Sequence, residues 1–570
     1  MMFSKSHCAL LLTSAATAAL ATMACGLVGP AGARASTVTW NSNGTSWNTA
    51  ADWTPNQVPG TGDVASFDST SYANQPQLDA DVNQGVSGLA FGDGTTAAAA
   101  LTISAATSTG NTSGSTSSGS TTVELASIGS HIVGEQVSGA GVAPDTFITG
   151  INGNQITISN PTTGVINSGT ELTFLPTLTL GSGGITVDGS SSNGALTTVQ
   201  TISAPVVLGA SQTWTNESTS SANALVAQNV FIAAGTTLTL NAVTKGFNNP
   251  AFYFNAQNAI AGAGTLNIGS GVAVLGGGNN ATGNPSFTGN IVVAAGGTIF
   301  AYGSGNGNGF STDVFGTGTL IMNGGTIGFN GNLNGTSNTN GLLGGGEVWN
   351  ADFSTNNYGK TVYMGSGAIS LGTVAGGPAV RTITSGNNFG GGNTIFDGSI
   401  SNGVTATGLT ISGPGTVTLD GANTYTGPTT ISHDSQGTGT LVLNGSLENS
   451  NINIATSGAL KGTGRLNWNL VGNIGNLIAD AGTLNITDLN LALNISGTQT
   501  MGQYVVADYS GGTLTGTSFA SVTGLPAGWS INYNDGSEIV LQMIPEPTTI
   551  GLMAVVGLGT LLIGRKRKMA

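Results

Sequence analysis

The feature that most restricts this chain's fold is a glycine-bounded unit that recurs with an alternating pattern. Its clearest copy reads Gly413-Pro-Gly415-Thr-Val-Thr-Leu419-Asp-Gly421-Ala-Asn423-Thr-Tyr425-Thr-Gly427-Pro428-Thr-Thr-Ile431. It continues as Gly439-Thr-Leu441-Val-Leu443-Asn444-Gly445 and Gly458-Ala-Leu460-Lys461-Gly462-Thr-Gly464. A weaker copy spans Gly262 to Ile268 and Asn284 to Ile291, with fragments at 235–240, 316–320 and 482–486. Gly-x-Gly takes the chain through positive φ without steric cost. The Thr-Leu-x-Leu alternation sends one side chain inward and the next outward, and Asn at the turns can stack from coil to coil. One unit buries too little to stand alone, whereas stacked units bury a continuous column. The expected fold is all-β: a right-handed parallel β-helix, or solenoid, with caps at its ends. At roughly 20–25 residues per coil and ~4.8 Å per rung, residues 176–500 would make about 13–16 coils, on the order of 60–80 Å long. A string of β-sandwiches would instead need Pro-bounded domains of about 100 residues, and no such spacing is present.

Composition agrees with this reading. Glycine occupies 93 of 570 positions, more than twice the usual ~7%. Mean hydropathy is +0.17, too apolar for a disordered chain. The unit closely resembles the autotransporter-associated β-strand repeat. The residues that carry the likeness are Gly413, Gly415, Leu419, Gly421, Asn423, Tyr425 and Gly427. Pro428 stands where that repeat usually has Gly, and the loop 432–437 is longer than usual, so a rung is expected to bulge there.

Residues 36–103 read as an N-terminal cap with the first coils. Trp40, Trp47 and Trp53, followed by Pro59 and Asp63-Val-Ala-Ser-Phe67, resemble the opening of bacterial surface proteins that carry these repeats. The tryptophans either plug the open end of the solenoid or form a sugar-stacking platform; the plug is the favoured reading. Residues 104–122, rich in Ser, Thr and Gly, are expected as a flexible linker. Residues 123–175 form a β-hairpin insert, with Asn152-Gly153 as its turn and His131 as an isolated surface residue. The repeat solenoid fills 176–500, and the aromatics of 501–543 suggest a C-terminal β cap. The chain leaves no stretch for the membrane β-barrel of a true autotransporter, so self-secretion through one is not expected.

Both ends carry targeting patterns. Residues 1–35 read as a secretory signal peptide: Lys5 and His7 precede an apolar run, and Ala33-Arg34-Ala35 is a small-x-small cleavage site. Cys25 raises a lipoprotein alternative, although Thr22 stands where a lipobox expects Leu. Cys8 and Cys25 are the only cysteines, so the mature chain has neither a disulfide nor a Cys-containing zinc site. In residues 544–570, Pro545-Glu546-Pro547 forbids a helix. About 16 mostly apolar residues follow, near the lower limit of roughly 17–25 for a membrane span. Arg565, Lys566, Arg567 and Lys568 then stop it on the cytoplasmic side. This order resembles a PEP-CTERM sorting tail, whereas a plain anchor has no need of Pro-Glu-Pro. The resemblance implies an exosortase-type processing enzyme as partner and transient inner-membrane anchoring before C-terminal processing. It also implies a cell-surface or extracellular-matrix destination, in hosts that make exopolysaccharide.

Charge narrows the function further. Between 36 and 544 the chain has five Lys or Arg and 24 Asp or Glu, a formal charge of −19. Nucleic acid is therefore a poor partner. Asp79 with Asp81, Asp352 near Lys360, Arg381, Arg465 and His433-Asp434 are the candidates for chemistry, and each reads as a solvated strand-edge or turn residue. No catalytic residue, metal site or cofactor is expected. The sequence reading is thus a structural or adhesive protein of the cell surface or matrix, associated with exopolysaccharide and not an enzyme. The alternative is a secreted β-helix polysaccharide lyase or hydrolase.

Overall fold

The structure is a computed structural model. It describes residues 35–544 except 81, 94–97, 144–145, 189–198, 219–224, 244–249, 255–258, 277–285, 303–312, 331–340, 358, 387–390, 436 and 449–450. The signal peptide up to Arg34 and the tail from Pro545 onward therefore lie outside the described residues. Among those described, the only helix is one 3-10 turn at Ala50–Asp52, and no helix is long and apolar enough to cross a membrane.

The rest is a right-handed-type β-helix of about 15 turns. Each coil lays short strands on three faces. In one coil these are Val206–Leu208, Gln212–Asn216 and Leu225–Ala227; in the next they are Val230–Phe231, Thr237–Ala242 and Phe252–Phe254. Successive coils pair in parallel, with Val206 opposite Val230, Gln212 opposite Leu238, and Leu225 opposite Phe252. Thr265–Leu275 and Asn290–Tyr302 bend round a corner and serve two faces each. Alternation decides what goes inside: Leu238 and Leu240 are fully buried while Thr237 and Thr239, which alternate with them, are not. One core runs the length of the rod, from Val38 to Leu541. Coil length varies more than the sequence suggested. The second face steps from Ala422 to Ser446, Arg465, Asn490 and Ser521, that is by 24, 19, 25 and 31 residues.

A column of nine glycines runs up one corner of the rod. Gly264, Gly289, Gly318, Gly345, Gly367, Gly398, Gly421, Gly445 and Gly464 each stand one or two residues before a strand of the second face. A Cβ on each of the last eight would overlap the carbonyl oxygen of the glycine one coil earlier. The backbones touch at this corner, so only a residue without a side chain fits.

The two ends are closed as caps. Ser36–Trp40 begins the parallel ladder against Asp63–Phe67 and is flanked on its other side by antiparallel Trp53–Thr54. Trp40, Trp47 and Trp53 are all buried, and the ring of Trp53 meets each of the other two edge-on at 4.9 Å. Trp53 Nε1 donates to Trp47 O at 2.8 Å. Rings enclosed in this way cannot stack on a sugar, so the plug is the correct alternative. At the other end Gln503–Asp508, Glu538–Met543 and Trp529–Asp535 pair antiparallel and end the ladder, with Tyr504 packed on Trp529.

Gln84–Phe91 pairs directly with Leu178–Val187, so the chain between them leaves the rod and returns. Leu101–Ala105 completes a coil against Gln200–Ile202. The following residues build a six-stranded antiparallel sheet, closed by a bridge between Thr112 and Leu125. The Asn152-Gly153 hairpin forms as read, with Gly153 at φ 61. The segment read as a flexible linker is instead built in. Ser108–Asn111 pairs with Glu171–Leu175, and Thr112 Oγ1 donates to Asn167 O at 2.7 Å. Ser108 and Ser120 likewise donate their hydroxyls to backbone carbonyls, of Phe174 and Thr122. His131 is not an isolated surface residue either. It stacks on Phe174 at 3.9 Å and meets Glu135 at 2.8 Å, and Glu135 accepts a hydrogen bond from Asn83 of the rod. Phe147 packs against Phe231 and Ala261, which seats the insert on the rod's flank.

Candidate functional site

The repeat-motif residues serve the rod's interior. Gly413 lies at φ 85. A Cβ at Gly415, Gly421 or Gly427 would strike the backbone or side chain of an adjoining coil. Leu419, Asn423 and Tyr425 are buried. Asn423 links three coils: its Oδ1 accepts from Ile400 N at 3.0 Å, and its Nδ2 donates to Gly421 O at 2.9 Å and Ser446 O at 3.1 Å. Tyr425 OH meets Thr429 Oγ1 at 2.7 Å, and burial pushes its hydroxyl pKa up. The long loop is a small antiparallel hairpin, His433–Asp434 with Gly437–Thr438, projecting beside an unbroken rung. Of the sorting residues only Ala35 is described, and it is exposed; Ala33, Pro545, Glu546, Pro547, Arg565, Lys566, Arg567 and Lys568 lie outside the described residues.

The charged residues weighed in the sequence do not converge. Asp79 accepts from Ser46 Oγ at 2.8 Å, Asp352 from Thr382 N at 2.9 Å, and Asp434 from Gly437 N at 3.1 Å. Asp81 is outside the described residues. Arg381 corrects the reading of a solvated charge. It is buried, and its Nε donates to Trp349 O at 2.8 Å and Leu371 O at 3.2 Å. Burial lowers its pKa, opposed by the nearby Asp352 carboxylate. In the same region Glu347 is also buried and accepts from Trp349 Nε1 at 2.8 Å. Burial raises its carboxyl pKa to about 7.

A polar assembly that the sequence reading missed lies on the outside of the second face. The residues just before four column glycines, Asp397, Asp420, Asn444 and Thr463, stack coil upon coil. Asn444 Nδ2 donates to Asp420 Oδ1 at 2.9 Å, and Asn444 Oδ1 accepts from Thr463 Oγ1 at 3.3 Å. Asn490 Nδ2 continues the row to Thr463 O at 3.0 Å, and Ser521 Oγ donates to Asn490 Oδ1 at 2.6 Å. At the near end the Asp397 carboxyl is raised above the usual carboxylate range, first by burial, then by the Asp420 charge and a hydrogen bond between the two. Such a pair can hold and deliver a proton.

Two clefts open beside this row and share Arg465. One, of about 350 Å³, is lined by Asn444, Ser446, Thr463, Arg465, Asn490, Ser521, Thr523 and intervening backbone. The other, of about 440 Å³, is lined by Glu448, Arg465, Asn467, Asn494 and neighbours. Amide and hydroxyl groups repeated at the rung spacing of ~4.8 Å offer what a chain of sugar hydroxyls needs. The signal was present in the sequence as Asp-Gly, Asp-Gly, Asn-Gly and Thr-Gly ahead of successive second-face strands. It becomes legible only once the glycines are known to align.

Residues 409–433 match the family model described as Passenger-associated-transport-repeat. This agrees with the resemblance to autotransporter-associated repeats at the copy where it was clearest. No curated protein matches the chain. Among solved structures it is similar to the Gp54 tailspike of Acinetobacter baumannii bacteriophage AP22 in complex with A. baumannii capsular saccharide. That match has 11% identity, covers 82% of this chain and 79% of that one, and has a TM-score of 0.23. It is also similar to the tailspike gp61 of Pseudomonas phage phi297, at 12% identity, 81% and 70% coverage and a TM-score of 0.19. The tailspike protein gp49 from Pseudomonas phage LKA1 matches at 16% identity, 80% and 75% coverage and a TM-score of 0.20. The expectation that the chain is not an enzyme is corrected on this finding and is not carried further. At these TM-scores the likeness assigns no residue a role.

Proposed function

We propose that this chain is an exported protein of the cell surface or extracellular matrix whose β-helix engages exopolysaccharide along its second face. The observation that carries this reading is the hydrogen-bonded row from Asp397 to Ser521 beside two polar clefts. Its shape suits an extended polymer lying across several coils. In this reading residues 1–35 direct export. The apolar stretch from Thr548 and the cations Arg565–Lys568 hold the chain transiently in the inner membrane, and an exosortase-type enzyme recognises Pro545-Glu546-Pro547. The rod then serves an adhesive or structural role in the matrix. A second reading, cleavage of the same polymer, is favoured by the Asp397–Asp420 pair at the end of the row.

The test is to incubate the full chain, held in detergent, with the host's own exopolysaccharide and to follow polymer size by size-exclusion light scattering. Larger, protein-carrying species that vanish in an Asn444→Ala, Asn490→Ala variant support binding. Smaller polymer, lost in Asp397→Asn, establishes cleavage. An unchanged size distribution with no protein carried refutes both readings.

A further inference from the structure

We infer that the cleft centred on Arg465 is a subsite for the acidic group of a sugar, carried by a polymer whose neighbouring sugars are neutral. This rests on the polysaccharide reading and names the substrate class of the same site. Arg465 is the only charged residue among those lining the 350 Å³ cleft; the others that face it offer amide, hydroxyl or backbone groups. Its side chain is 54% exposed, and its ion-pair contact, NH2 to Glu448 Oε1, is 3.8 Å. That is too long for a hydrogen bond, so the planar fork of guanidinium donors remains available to an incoming group. A carboxylate can take two of those donors in parallel, which fixes orientation as well as affinity. The contrast with Arg381 is instructive, because Arg381 spends its donors on backbone carbonyls inside the rod.

The surrounding charge sets the second half of the inference. The body carries a formal −19, and Asp397, Asp420 and Glu448 sit within one or two coils of the cleft. A polymer charged on every sugar would bring its other anions against these carboxylates. A polymer with widely spaced acids would place one on Arg465 and its neutral sugars along the Asn and Thr row. Short-range recognition therefore favours an isolated acidic residue, while the long-range field excludes a polyanion.

The experiment measures binding of immobilised full-length chain to the host exopolysaccharide, native and after chemical reduction of its carboxyl groups to alcohols, in 150 mM salt. Wild type is expected to prefer the native polymer by about 10-fold or more. Arg465→Gln should abolish that preference, bringing binding of the native polymer down to that of the reduced one. Arg465→Lys should keep part of it, and Glu448→Gln should strengthen native binding a few-fold. Equal binding of both polymers by wild type, or an Arg465→Gln variant that still discriminates, overturns the acidic subsite and leaves the polysaccharide reading standing. Failure to bind either polymer overturns both.

Discussion

Replacing Gly345 by alanine tests whether the glycine column is a packing requirement or an accident of composition. A Cβ at this position would overlap the Gly318 carbonyl oxygen and lie 2.6 Å from its carbon and 2.7 Å from Thr317 O. Ordinary contacts of a Cβ begin near 3.4 Å, so two coils must part by well over 1 Å at the corner. The obstacle is backbone on both sides, so no side chain can swing away. Overpacking costs about 1–3 kcal/mol. Stretching the adjoining Leu320 N to Gly346 O bond, now 3.0 Å, adds roughly 1 kcal/mol. The expected loss is about 2–4 kcal/mol. Coils of a solenoid contact only their neighbours, so the loss is local. Amide hydrogen exchange at 313–330 and 341–357 should therefore quicken while the N-terminal coils keep their protection. The control is Gly502→Ala, where a Cβ meets nothing within 4 Å; it should change stability by less than about 0.5 kcal/mol. Equal exchange in the two variants would refute the argument that this corner admits only glycine.

Three further outcomes follow from the same geometry. Glu347 has a folded pKa of about 7 against an ordinary 4.5. The folded state thus keeps a proton that the unfolded state loses, and stability falls as pH rises from about 4.5 to 7. Glu347→Gln should match wild type at pH 4 and be the more stable at pH 8 by roughly 3 kcal/mol, as read in urea titrations. Asn423→Ala strands Ile400 N and Ser446 O in the core, and thermal melts should report a loss of about 2–4 kcal/mol. Changing Pro545-Glu546-Pro547 to three alanines in the native host should leave unprocessed chain in the inner-membrane fraction; unchanged release would remove the exosortase reading.

The rod was legible because its inner positions obey one rule. Leu419, Leu441, Leu443 and Leu460 alternate with Thr, Val or Lys, and all four are buried. Alternation gives the face directly. What escaped the sequence reading depends on adjacency between coils. Asp397 and Asp420 are 23 residues apart, and coils of 19 to 31 residues give no fixed spacing from which to infer contact. Arg381 and Glu347 escaped for another reason. Both occupy the inward phase of their strands, beside Ile383 and Trp349 respectively, but Arg381 was read as solvated on its charge alone, and Glu347 was not singled out at all. The Ser/Thr/Gly segment misled because low complexity usually lacks partners, whereas here Thr112 bonds Asn167 across the insert.

These failures bear on where function can reside. The residues that carry the repeat resemblance are consumed by the fold: the glycines by close approach, Leu419 by the core, and Asn423 and Tyr425 by interior hydrogen bonds. A substitution among them changes the rod before it changes any ligand. The outward positions are under no such demand, since a rung pairs through its backbone whatever it displays. A solenoid without disulfides can therefore keep its inner code fixed and alter its outer row coil by coil. In this chain the outer row before the second face changes from Asp397 and Asp420 to Asn444 and Thr463 within a few coils, and an exposed Arg465 opens the strand that follows Thr463. That is a graded surface, acidic at one end and cationic beside the clefts, along which an extended polymer would be held in one direction rather than either.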